Sequence, residues 1–370
     1  MGHPGLLVAK VGSSTLVDES GSVDGAFIED LCDQVARLVE SGTRVVLVSS
    51  GAAAAGREVL GIPGRPRDIE TLQACAAAGQ ARLTQAYADV LRDRGIVCGQ
   101  VLLTRRDVTD RDGYLNARRT LTRLLDLGVV PVVNENDTVS VAEFAFGDND
   151  MLGAIVAAML GADLYVICSD VSGLYTANPQ THPEAELVES VSVVDERVTA
   201  MAGGAGSSYG TGGMSSKLRA ARAMLAAGVP MVICQGRRPD VLVELADGAR
   251  VGTRFEAPAG AAREGGRKLW IGLAEVPRGT LVLDEGAAAA VVSRGASILP
   301  VGVTATRGSY DAGDVVTVEG PSGRVIGRGV VRYSSEDMTR VRGLKLDVIA
   351  RFLGEGGAQP AVHRDDLLVL

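Results

Sequence analysis

Over about the first 255 residues, short unbroken apolar runs alternate with longer stretches of mixed polarity. The runs are LLVAKV (6–11), RVVLVS (44–49), VCGQVLL (97–103), VVPVVN (129–134), DLYVICS (163–169) and VPMVIC (229–234). Such runs, apolar without alternation, predict strands covered on both faces. The stretches between them predict helices over about 26–41, 68–94, 114–127, 149–161 and 214–227. Gly42, Gly95, Gly128, Gly161 and Gly228 each follow a helical stretch and precede a strand, where a helix-ending glycine belongs. Repeated helix–Gly–strand units predict an α/β domain with a mainly parallel sheet sandwiched by helices.

The pattern changes at RFEAPAGAAREGGRK (254–268), which is rich in Gly, Ala, Pro and charge. It closes an α/β domain over 1–255 and sets a linker at 256–269. Residues 270–353 predict a small β-rich domain: a strand, a short helix, another strand, then a hairpin about the turn Gly320-Pro321-Ser322-Gly323. Residues 354–370 are left as a C-terminal tail.

Composition narrows the function classes. Hydrophobic residues make up 46% of the 370-residue chain but aromatics only 4%, so the core must be built of Ala, Val, Leu and Ile. A formal charge of −8 argues against a general nucleic-acid binder. None of the five cysteines forms a CxxC pair, and most sit in apolar runs, so they read as small core residues in a reducing compartment. His3, His182 and His363 lie far apart in loop-like sequence, which argues against a histidine metal site or a Ser-His-Asp triad. The N-terminus has no secretory pattern and no run approaches the length of a membrane span, so the expected location is cytoplasmic.

Three places carry candidate chemistry. The first two strands end in small polar turns: Lys10, Gly12, Ser13 and Ser14 after one, Ser49, Ser50 and Gly51 after the other. Such turns at the carboxyl ends of strands let backbone N–H groups approach an anion. GGAGSSYGTGGMSSKLRAA (203–221) is a Gly/Ser loop opening onto a helix with Lys217 in its first turns. It matches neither the GxxxxGK[ST] phosphate loop nor a dinucleotide fingerprint, yet it suits a polyphosphate. VNENDTVSVAEFAFGDND (133–150) holds five carboxylates and no cation. Its ends sit at a strand terminus and a helix start, and its centre alternates like a hairpin strand. It reads as a lid over the sheet edge, suited to an ammonium or to orienting lysines, or as a solvated loop.

The segments VAKVGSS, VSSGAAAAGRE, LLTRRDVTDRDGYLNAR, PVVNENDTV, GDNDMLGA, SDVSGLYTANP and GTGGMSSKLRAA together resemble the glutamate 5-kinases, within the amino acid kinase superfamily. The resemblance spans nearly the whole chain, with 270–353 similar to a PUA domain. It implies phosphorylation of the L-glutamate γ-carboxylate by ATP with Mg²⁺ bound through the nucleotide, the first step of proline biosynthesis. It places Lys10, Lys217 and Asp150 in catalysis. It assigns Lys10, Ser169, Asp170, Thr211, Gly212, Gly213, Met214, Ser215, Ser216 and Lys217 to ATP, and Ser50, Gly51, Asp137 and Asn149 to glutamate. It further implies proline as inhibitor, a homo-oligomer, and hand-off of the product to glutamate-5-semialdehyde dehydrogenase. Ser169 stands where the family usually has Thr, and Asn178 where Asp is usual, so Asn178 receives no role. The alternatives are a kinase for N-acetylglutamate or aspartate, or an RNA-binding protein acting through the second domain. Against the last, that domain has ten basic and nine acidic residues, no strong electrostatic footprint.

Overall fold

The computed structural model describes residues 3–18, 22–64, 66, 68–140, 149–202, 213–256, 277–353 and 358–369. The chain divides into two compact units, Met1–Gly266 and Arg267–Leu370. The expected linker lies mostly outside the described residues.

The first unit runs β1 (Leu6–Val11), α1 (Ser13–Leu16), α2 (Gly25–Glu40), β2 (Arg44–Val48), α3 (Ala52–Val59), α4 (Ile69–Asp93), β3 (Cys98–Leu103), α5 (Arg105–Thr109) and α6 (Arg111–Asp126). It continues β4 (Val130–Glu135), α7 (Asn149–Leu160), β5 (Leu164–Ser169), β6 (Ser190–Val191), α8 (Glu196–Met201), α9 (Met214–Ala227), β7 (Met231–Gln235), α10 (Val241–Ala246) and β8 (Thr253–Phe255). The eight strands form one sheet in the order β3-β4-β2-β1-β5-β7-β8-β6. The first six are parallel, and the last two run the other way, with β8 antiparallel to β7. Every residue of β1, β4 and β5 is buried, as the unbroken apolar runs require.

Local signals fix the helix ends. Asp24, Asp68 and Asp110 each accept a hydrogen bond from a first-turn N–H of α2, α4 and α6, and Thr104 with Asp107 forms a capping box on α5. The five helix-ending glycines all have positive φ, between 64° and 89°. Helices α3 and α4 touch backbone to backbone. A Cβ on Gly56 would lie 1.6 Å from the Cys75 carbonyl oxygen, and one on Gly79 2.0 Å from that of Ala52. Only glycine permits this approach.

Leu7, Ala9 and Val11 of β1 pack into the core shared with α2, α4 and α10. Alternation then sends Lys10 to the opposite face, toward α7 and α9. Because the six strands are parallel, Lys10, Ser50, Asn134 and Ser169 all come out near one edge of the sheet. Four cysteines are buried and Cys98 is half-buried; all are free thiols.

The second unit contains β9 (Gly279–Leu283), α11 (Glu285–Arg294), β10 (Val303–Gly308), β11 (Val315–Glu319), β12 (Val325–Val331), α12 (Ser335–Val341), α13 (Leu346–Leu353) and β13 (Val362–Val369). Its sheet order is β10-β9-β11-β12-β13. The hairpin about residues 320–323 is β11–β12. Residues 362–369, set apart as a tail by sequence, are instead a strand paired with β12. Val362, Leu367 and Leu368 are buried, so the charged HRDD within the strand concealed its apolar positions.

Candidate active site

Asp150 stands at the centre of the sheet edge, in the first turn of α7. It is completely buried. Its Oδ1 lies 2.5 Å from Lys10 Nζ and its Oδ2 3.1 Å from Lys217 Nζ. The Ser216 hydroxyl donates to the same Oδ2 at 2.8 Å. Three elements thus converge: the end of β1, the start of α7 and the start of α9. Both lysines are nearly buried, at 5% and 7% exposure. Burial alone would raise the Asp150 pKa, but the two ammonium groups and the Ser216 hydroxyl outweigh it and hold it at about 2. One carboxylate thus holds two ammonium groups close together, an arrangement suited to a negatively charged ligand.

Helix α9 opens beside it. Its N-cap, Gly213, supplies no side-chain hydrogen bond. First-turn N–H groups of a helix with such a cap favour a negative ligand. Met214 and Ser215 occupy that first turn. Thr211 and Gly212, expected to join them, lie outside the described residues. Ser169 and Asp170 follow β5, where the Ser169 hydroxyl donates to Asp170 Oδ1 at 3.1 Å. The Gly12 N–H, a candidate anion donor on sequence, donates at 3.3 Å to the Cys168 carbonyl and so serves the fold.

Asn149, one residue before Asp150, belongs to a second cluster. Its Nδ2 donates to the Ser49 carbonyl at 2.6 Å, to Ser50 Oγ at 2.9 Å and to Asn134 Oδ1 at 2.8 Å. Asn134 Nδ2 in turn donates to Gln80 Oε1 at 2.8 Å, and the buried Ser49 hydroxyl pairs with the Tyr87 hydroxyl at 3.1 Å. Gly51, with φ of 90°, is the N-cap of α3 and makes the sharp exit from β2. Gln80 and Tyr87 were not legible in the sequence, because both reach the site only through the close packing of α3 on α4.

Next to this cluster is a shallow, open recess lined by Ala76, Gln80, Leu102, Glu135, Asn136, Asp137 and Thr138. Burial first, and the Glu135 carboxylate second, push the Asp137 pKa up to about 6. At neutral pH Asp137 is therefore an anion that its surroundings disfavour. The centre of the expected lid, including Glu143 and Asp148, lies outside the described residues. Asn178 accepts a hydrogen bond from the Gln180 N–H in a local turn.

Known proteins match along nearly the full chain. The PUA domain matches residues 279–353. The glutamate 5-kinase of Geobacter sp. (strain M21) is 43% identical over 98% of this chain and 97% of its own. That of Chromobacterium violaceum is 44% identical over the same shares. Among solved structures, the UMP kinase of Bacillus anthracis is 17% identical, with a TM-score of 0.49, and covers 70% of this chain and 98% of its own. The amino acid kinase family matches residues 5–235, which hold Lys10, Asp150 and Lys217, and the chain belongs to that family.

Proposed function

We propose that this chain transfers the γ-phosphoryl group of ATP to the γ-carboxylate of L-glutamate, giving γ-glutamyl phosphate for proline biosynthesis. The observation that carries the reading is the buried bridge Lys10–Asp150–Lys217 beside a recess that offers the Asp137 carboxylate to an ammonium. The glutamate 5-kinases aligned with the chain over nearly their whole length support the same substrate.

The chemistry follows from charge. A free γ-carboxylate, with a pKa of about 4.3, is already ionised at neutral pH and needs no base. Its oxygen forms a bond to the γ-phosphorus as the bond from that phosphorus to the ADP oxygen breaks. The barrier is the mutual repulsion of two anions and their alignment. Lys10 and Lys217 offset that repulsion, and Asp150 keeps the two ammonium groups at fixed positions between β1 and α9. The first turn of α9, with Gly213, Met214, Ser215 and Ser216, cradles phosphate oxygens, and Ser169 and Asp170 hold the nucleotide from the end of β5. Ser50, in the turn between β2 and α3, and Asn149, at the start of α7, orient the substrate, while Asp137 takes its ammonium. No group of three or more His, Cys, Asp or Glu among the described residues has metal-holding geometry, and Asp150 is engaged by lysines. Mg²⁺ bound through the ATP phosphates would add further charge neutralisation there.

The test is ATP turnover with glutamate, aspartate and N-acetylglutamate compared side by side. Glutamate is the expected substrate, because acetylation removes the ammonium that Asp137 would bind. Turnover with N-acetylglutamate alone would overturn the reading. Proline, which also carries an ammonium and a carboxylate, is expected to compete with glutamate in the same assay.

A further inference from the structure

A chain of side-chain amides holds Ser50 and Asn149, and the backbone fixes its direction. A backbone N–H can only donate and a backbone carbonyl can only accept. The Glu135 N–H donates to Asn134 Oδ1 at 2.9 Å, so Asn134 turns its amide nitrogen toward α4. There Asn134 Nδ2 donates to Gln80 Oε1 at 2.8 Å, and Gln80 Nε2 donates on to Thr84 Oγ1, one helical turn away, at 3.1 Å. At the other end the Ser49 carbonyl identifies Asn149 Nδ2 as a donor, which also reaches Asn134 Oδ1 and Ser50 Oγ. Three acceptors share the two hydrogens of Asn149 Nδ2, so its donor capacity is used within the protein. The Asn149 carbonyl is left as an acceptor for a ligand. The Ser50 oxygen accepts from Asn149, which leaves the Ser50 O–H as a donor. Helix α4 supports both residues. Gly79 lets its backbone pack against Ala52 and Gly56 of α3, just after the Ser50 turn, and the next residue, Gln80, receives Asn134. Asn134 is only 1% exposed, so solvent cannot replace the Gln80 oxygen as its acceptor.

We propose that Gln80 is a positioning residue for glutamate: by accepting from Asn134 it holds the amide chain that presents the Asn149 carbonyl and the Ser50 hydroxyl to the substrate. This rests on the reading of Ser50 and Asn149 as partners of glutamate. The two side-chain hydrogen bonds of Gln80 run to Asn134 and Thr84, not to Lys10, Asp150 or Lys217. Its loss therefore acts on glutamate binding and leaves the phosphoryl side in place.

The experiment compares kcat and the KM values for glutamate and ATP in the unsubstituted enzyme, Gln80→Met and Gln80→Glu, and repeats Gln80→Met on Asn149→Ala. Gln80→Met keeps the side-chain length but leaves the buried Asn134 N–H without its acceptor. The glutamate KM should rise about fivefold or more, with kcat and the ATP KM within about twofold. Gln80→Glu keeps an oxygen for Asn134, so its glutamate KM should stay within about threefold of the unsubstituted enzyme's. On Asn149→Ala the chain has lost its last member. There, in a thermal-shift titration with glutamate that needs no turnover, Gln80→Met should weaken binding by less than about twofold further. An unchanged glutamate KM in Gln80→Met, an equal rise in Gln80→Glu, or the full loss on Asn149→Ala overturns the proposal. Equal rises in the glutamate and ATP KM values would mark a merely structural role and overturn it as well. Unchanged glutamate KM values in both Ser50→Ala and Asn149→Ala would instead refute the assignment beneath it.

Discussion

Replacing Asp150 with Asn tests the charge arrangement at its centre. The amide keeps the shape and an acceptor for Ser216, but it leaves the ammonium groups of Lys10 and Lys217 buried without their shared counter-charge. Two estimates bound the loss. The Asp150 pKa is held well below its ordinary value, at about 2, which is worth on the order of 2 kcal/mol of folding stability. Removing one partner from a buried ion cluster costs about 3–5 kcal/mol. The variant should then melt roughly 5–15 °C lower at pH 7.5, followed by far-ultraviolet circular dichroism. Because the folded pKa is depressed, the Asp150 contribution is present above about pH 4 and lost as pH falls toward 2. The gap between variant and unsubstituted protein should therefore narrow at pH 3. ATP, an anion, should partly replace the missing charge and raise the variant's melting temperature more than the unsubstituted protein's. If the variant melts within a degree of the unsubstituted protein at pH 7.5, or gains nothing extra from ATP, Asp150 does not hold the two lysines electrostatically.

Lys217→Ala leaves Lys10 on Asp150, so it should cost only about 1–2 kcal/mol of stability while kcat falls about 100-fold or more; an unchanged kcat in steady-state assays would remove Lys217 from the phosphoryl-transfer step. For Asp137 the sign is opposite to that of Asp150. A folded pKa near 6 makes stability fall as pH rises from about 4 through 6, by about 2–3 kcal/mol. Asp137→Asn should be more stable than the unsubstituted protein to urea at pH 8, equal to it near pH 4, and weaker for glutamate; equal stability at pH 8 would count against a strained carboxylate. Gly79→Ala would set a Cβ 2.0 Å from the Ala52 carbonyl oxygen and 2.1 Å from the Gly56 nitrogen. It should lower stability by about 3 kcal/mol or more and raise the glutamate KM by shifting Gln80; a neutral thermal melt would contradict the backbone contact.

The parts of this structure that are legible in the sequence are those decided by neighbours along the chain. Strands such as Leu6–Val11 and Leu164–Ser169 show as unbroken apolar runs because both sheet faces are covered. The helix starts at Asp24, Asp68 and Asp110 show because each cap acts over three residues. Strands β6 and β8, of two and three residues, are too short to carry a period. Gln80 and Tyr87 enter the site through a contact between Gly56 and Gly79, twenty-three positions apart. In sequence that contact is only a run of small residues, ACAAAGQA, which any tight helix pair could share.

Asp137 and Asp150 come from one acidic stretch, VNENDTVSVAEFAFGDND, and composition gives them the same character. Their surroundings separate them. Asp150, completely buried, faces two ammonium groups and a hydroxyl donor and is held ionised well into acid. For Asp137, burial first and the Glu135 carboxylate second push the pKa up to about 6. The difference corresponds to what each lacks. Asp150 has its cations built into β1 and α9, so its charge is spent in arranging them. Asp137 has no cation among the described residues lining its recess, and the energy its ionised form carries there is released when an ammonium binds. On this reading Asp150 serves the nucleotide side and Asp137 selects an acceptor with a free amino group. An N-acylated substrate would leave Asp137 without that partner and bind the worse for it at neutral pH.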